Sequence, residues 1–141
     1  MKKIRGDDVK KFMLSGAKTG KLATVRSDGS PHIAAIWFAL DHETGDLVFL
    51  TEETSLKCKN IERDPRVSVL AEDETFPFGW ARMDGVATTS TADLLHWATE
   101  SCRRYVGHDR ADEYGRRNGV PGEVVVRVRA TKLVGKTELA S

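Results

Sequence analysis

Strand-like and helix-like spacings of apolar residues divide this chain into successive blocks. Ahead of the first strand, residues 7–15 place Val9, Phe12 and Met13 on one side of a short helix that Gly16 stops. Residues 21–25 then read as a strand and residues 27–30 as a hairpin turn. Asp28 and Gly29 suit the geometry in which both central residues take positive φ. Pro31 opens the next strand, a position where its missing N–H is tolerated. That strand, residues 32–40, is apolar on both faces after His32, whereas a half-exposed hairpin strand alternates apolar with polar residues. One face is expected to fill a barrel core. The other is expected to meet a second subunit, a flat apolar ligand, or both, and Ala34 and Ala35 beside Trp37 leave room for something planar.

A turn over residues 41–46 leads into a strand over 47–51, and a helix follows. Thr54 or Ser55 caps that helix, offering an oxygen to the free N–H groups of its first turn, and Asp64 before Pro65 ends it. Residues 66–71 form another strand, residues 72–77 a polar loop, and residues 79–88 an extended segment in which Gly85 marks a bulge. From Thr91 the period becomes helical, with Leu94, Leu95, Ala98, Cys102 and Tyr105 on one face and Gly107 as the stop. Residues 108–118 predict a second, charged helix ending at Asn118 and Gly119. Residues 123–130 alternate cleanly, with Val124, Val126, Val128 and Ala130 facing inward. No repeat and no low-complexity linker interrupts the pattern. About six strands with helices inserted late predict one mostly antiparallel α+β domain over residues 1–141, a small closed barrel without free sheet edges.

Composition narrows the function classes. A net charge of +1 gives no global basic field for nucleic acid, and no apolar run approaches the roughly 20 residues of a membrane span. The basic N-terminus has no apolar stretch behind it, unlike a secretory signal, which points to a cytoplasmic protein. Cys58 and Cys102 match no metal spacing and read as buried or idle thiols. The four histidines, His32, His42, His96 and His108, show no ligand pattern, so no metal site is expected. The pairs Arg103–Arg104 and Arg116–Arg117 flank Asp109, Asp112 and Glu113, which makes a charge-balanced surface rather than a nucleic-acid face. Trp37, Trp80 and Trp97 suit stacking on a ligand or packing in a core. No side chain stands out as a nucleophile or a poised acid, so no catalytic residue is assigned and chemistry would fall to a bound cofactor.

The strongest local signal lies after the 47–51 strand. Lys57 and Lys59 stand in or next to the first turn of a helix, where the dipole disfavours cations. A phosphate between them would remove the conflict, since helix N-termini bind anions and the hydroxyls of Thr51 and Ser55 add donors; the other reading of the same pattern is a short surface helix with two solvated lysines.

Three segments together resemble a known family. Residues 22–38, Leu-Ala-Thr-Val-Arg-Ser-Asp-Gly-Ser-Pro-His-Ile-Ala-Ala-Ile-Trp-Phe, resemble the opening hairpin of split β-barrel flavoproteins related to pyridoxamine 5′-phosphate oxidase. Thr51, Ser55, Lys57 and Asn60, followed by Asp64-Pro-Arg-Val67, resemble their phosphate-binding segment. Residues 104–123 are similar to the C-terminal segment of the branch that uses the deazaflavin coenzyme F420. The resemblance runs from about residue 20 to residue 134. It implies a six-stranded split barrel and an obligate homodimer with no nucleic-acid or membrane partner. It further implies an oxidoreductase passing a hydride between reduced F420 and a conjugated small molecule. FMN is the alternative cofactor, and a carrier without turnover the alternative role. By the same resemblance Lys57 binds the cofactor phosphate with Thr51, Ser55 and Lys59. His32, Ile36 and Trp37 line the ring, and Trp80 and the 105–117 region approach from the same or the second subunit. Arg26, Lys59 and Arg63 are the cations available to the anionic tail of F420. The arginine-rich flavin pattern and substrate-phosphate site of the true pyridoxamine phosphate oxidases are missing, which speaks against vitamin B6 oxidation.

Overall fold

The computed structural model describes residues 1–141. Its elements are β1 (Lys2–Arg5), α1 (Asp7–Leu14), β2 (Gly20–Val25), β3 (Pro31–Ile36), β4 (Ala39–Leu40), β5 (Leu47–Glu52), α2 (Leu56–Arg63), β6 (Arg66–Asp73), β7 (Gly79–Ser90), α3 (Leu94–Val106), α4 (His108–Asn118) and β8 (Glu123–Thr137). The sheet runs β3-β2-β6-β7-β8-β5-β4, with β1 on β8, and every pairing is antiparallel. β3 and β4 stand at opposite ends of that order yet are joined by only Trp37 and Phe38, so residues 31–40 carry the sheet from one end back to the other. Counting β3 and β4 as one bent strand, with β1 set aside as an addition to β8, gives the six-stranded split barrel that the resemblance implies.

Alternation along the strands fills the barrel. Leu22, Val69, Met83, Val126, Val128 and Phe49 are fully buried, and α1 and α2 plug the core with Val9, Met13, Cys58 and Ile61. A smaller cluster lies outside the sheet, where Trp97 of α3 covers Ala39, Val48 and Val125. The two-faced strand divides accordingly. Ile36, Phe38 and Leu40 point into the core and α3 covers Ala39, while Ile33 is 68% exposed and Trp37 42% exposed. Along β3 the outer face is bare.

Several details differ from the sequence reading, each for a physical reason. Only Gly29 takes positive φ in the first hairpin, and its N–H closes a turn on Arg26 O at 2.9 Å, so the turn is not the type with two positive-φ residues. α3 buries Trp97, Ala98, Ser101 and Cys102, and Leu95 points out, because its partner is the outer sheet face rather than the core. β1, and β8 beyond Ala130, are held by ladder hydrogen bonds to each other and to β7 and carry exposed lysines, so no apolar alternation announces them. Gly85 does mark the bulge: the register shifts there, and a Cβ would lie 2.4 Å from Arg129 O. No helix is long and apolar enough to cross a membrane.

Candidate functional site

β5 delivers Thr51 to the start of α2. Its hydroxyl, 4% exposed as a residue, shares a hydrogen bond of 2.8 Å with Ser55 Oγ. Ser55, not Thr54, is the cap: its Oγ accepts from Cys58 N–H at 3.1 Å and its carbonyl from Lys59 N–H at 3.1 Å. The N–H groups of Leu56 and Lys57 find no partner in the protein. α2 has no acidic residue in its first turn. Lys57 is half-buried and makes no ion pair, and Lys59 is exposed and likewise unpaired. A helix end with open donors and an uncompensated lysine is chemically suited to an anion.

Asn60 locks this helix to the barrel. It is fully buried and donates to Thr24 Oγ1 at 3.0 Å, while Arg63 donates to Asn60 Oδ1 at 3.2 Å and to the Val25 carbonyl. Thr24 is paired across the hairpin with His32, whose Nδ1 is buried without a partner. A polar atom left this way is costly unless something binds it. Asn60 stood in the phosphate-segment motif, but its role as a tie to β2 had only one sequence signal, a polar residue between the apolar Cys58 and Ile61. Two cations expected for an anionic tail are committed elsewhere: Arg63 as above, and Arg26 to Pro31 O at 2.8 Å. Lys59 alone of the three is free.

Other predicted site residues fall into three groups. Trp37 lies on the outer surface, stacked on Tyr105 with centroids 4.9 Å apart and 5° between planes. Ile36 is turned into the core, so only its backbone can line a site; side chains alternate along a strand, and its neighbours on both sides face out. Trp80 is not brought together with Lys57. It lies at the start of β7, in a groove with Lys3, Arg5 and Lys136.

One acidic feature at the site had no sequence signal. Glu123 and Glu52 face each other across β8 and β5, and Glu123 Oε2 is buried without a partner. Burial pushes the Glu123 carboxyl above its ordinary value, Glu52 adds to this, and Lys57 opposes it. The Cys58 thiol is pushed up to about 11, chiefly by burial, although helix starts ordinarily favour the thiolate. It is not a nucleophile at neutral pH. A cavity of about 720 Å³ lies at the opposite end of β5, beneath α3. Four of its charged side chains are paired: Arg127 with Asp41 at 2.9 Å, and with Asp46 nearby at 3.5 Å, and Arg103 with Glu100 at 3.2 Å.

Known proteins share this fold. A family model described as pyridoxamine 5′-phosphate oxidase matches residues 7–135. A conserved hypothetical protein from Mycobacterium tuberculosis is 28% identical, with a TM-score of 0.80 over 98% of this chain and 89% of that one. An F420 reductase is also 28% identical, with a TM-score of 0.67 over 87% of this chain and 94% of that one. A heme storage protein from Vibrio cholerae, 18% identical with a TM-score of 0.68 over 93% and 94%, shares the fold alone.

Proposed function

Given that the chain belongs to the pyridoxamine 5′-phosphate oxidase family, we propose that it is a coenzyme F420-dependent oxidoreductase acting on a conjugated small molecule. The observation that carries this reading is the start of α2, where the Thr51–Ser55 hydroxyl pair, two open N–H groups and Lys57 converge with no counter-charge in the first turn. Thr51, Ser55 and Lys57 bind the cofactor phosphate there. Trp37, just past the end of β3, keeps an exposed face for the ring, His32 contributes an unpaired Nδ1 from the inner side of the same strand, and Lys59 remains for an anionic tail. When bound, the deazaflavin supplies the hydride chemistry; the chain holds, orients and desolvates it. The F420 reductase at 28% identity supports the deazaflavin over FMN, whose phosphate and ring the same residues would serve.

The bare outer face of β3 supports a homodimer in this reading, with a second copy covering Ile33. Trp80, remote from Lys57 within one chain, joins the site only from that second copy. Replacing Lys57 by Ala should weaken cofactor binding by about 1.5–3 kcal/mol, the worth of one charge-assisted hydrogen bond. The unfolding temperature should hold, since Lys57 makes no contact that the fold depends on. Cofactor affinity unchanged by that substitution would remove the anion site and the proposal with it.

A further inference from the structure

Phe38 sits where the chain crosses from β3 to β4, and its fully buried backbone has no neighbouring strand to pair with. Buried backbone groups need partners. Side chains at the end of α3 provide them. Tyr105 OH accepts from Phe38 N–H at 3.3 Å and from Arg104 Nη2 at 2.9 Å, and donates to Lys18 O at 2.9 Å. Arg104 Nη2 also donates to Phe38 O at 3.0 Å, and Nη1 reaches Met13 O at 3.2 Å and Gly16 O at 3.0 Å.

The guanidinium has no carboxylate partner; the carbonyls at the end of α1, where the helix dipole is negative, offset its charge instead. It lies 4.5 Å from the Phe38 ring centre and 5.0 Å from that of Tyr105. Tyr105 then stacks against Trp37, which still remains 42% exposed, so the indole is backed on one face and open elsewhere.

We infer that Tyr105, backed by Arg104, is a positioning residue: it fixes the Trp37 indole as a wall against which a planar conjugated ring packs. This rests on the function proposed above. Tyr105 itself touches the wall and not the ligand, so its effect must pass through Trp37.

The test uses full-length wild type, Tyr105→Phe, Trp37→Ala and the double variant. Each is titrated with coenzyme F420 and FMN, with inorganic phosphate as competitor. Tyr105→Phe keeps the stack but loses the hydroxyl, and should weaken the ring ligand by about tenfold while phosphate competition stays within about twofold. The loss should vanish when Trp37 is already Ala, because coupled residues are not additive. Arg104→Lys, which keeps the charge and loses the forked contacts, should show the same selective loss should the tyrosine variant fold poorly. Equal losses for ring and phosphate, or the same loss with and without Trp37, would reduce Tyr105 to a structural tie and overturn the inference. Wild-type protein that binds neither ring would instead overturn the proposed function, a result visible before any variant is compared.

Discussion

Lys57 is the second residue of α2, where a cation opposes the helix dipole; it forms no ion pair, and its charge is felt by Glu123, which faces Glu52 across β8 and β5. Glu123 is held above its ordinary value, first by burial and then by Glu52, so the folded chain grips its proton more tightly than the unfolded chain does. Stability linked to this group is therefore fully present below the ordinary carboxyl value and lost as pH rises through the raised one. Glu123→Gln removes the dependence. Its unfolding temperature should exceed that of wild type at pH 7, and the two should converge below about pH 4. A constant difference across that window would mean that Glu123 is not the titrating group. Thr51, Ser55 and Lys57 were legible in the sequence because capping and dipole rules act within a few residues. Glu123, Arg104 and the tie between Asn60 and Thr24 were not, since each depends on a partner far along the chain.

The elements show the same division. The bounds of α2 followed from Ser55 and Pro65, and those of α4 from Gly107 and Gly119, all local signals. The strand from His32 to Leu40 was read as apolar on two faces, and its inner half lies in the core as expected. Its break at Trp37 and Phe38 was invisible, because it arises where one strand must serve both ends of the sheet. The cover that α3 gives Ala39 was equally hidden, since Trp97 rather than Leu95 makes it. What α3 leaves bare is the surface assigned to a second copy. Ile33→Glu adds a charge at a site 68% exposed, so the monomer's own stability should change by less than about 0.5 kcal/mol. Sedimentation should then show a dimer for wild type and a monomer for the variant. A wild-type monomer would leave the β3 face without its proposed partner.

At the scale of the molecule, the pattern of runs and turns specified about six antiparallel strands and late helices, which is the barrel observed once β3 and β4 count as one strand and β1, which no pattern announced, is set aside. Strand order lay outside its reach. β8 pairs with β7 and β5 over its length and with β1 at its end, and those choices are made by packing across the whole chain. The same topology sets the candidate site. It brings the end of β5, the start of α2 and the β2–β3 hairpin together, with Lys57 at one edge and Trp37 on the outer face. Trp80 is left at the far end of β7. The proposed function needs an anion held at α2 and a flat ring along β3. Direct titration of the ligand-free protein with coenzyme F420, and in parallel with FMN, followed by fluorescence, tests it most directly. Tight binding of F420 with much weaker binding of FMN is expected; binding of neither would leave the barrel without this function.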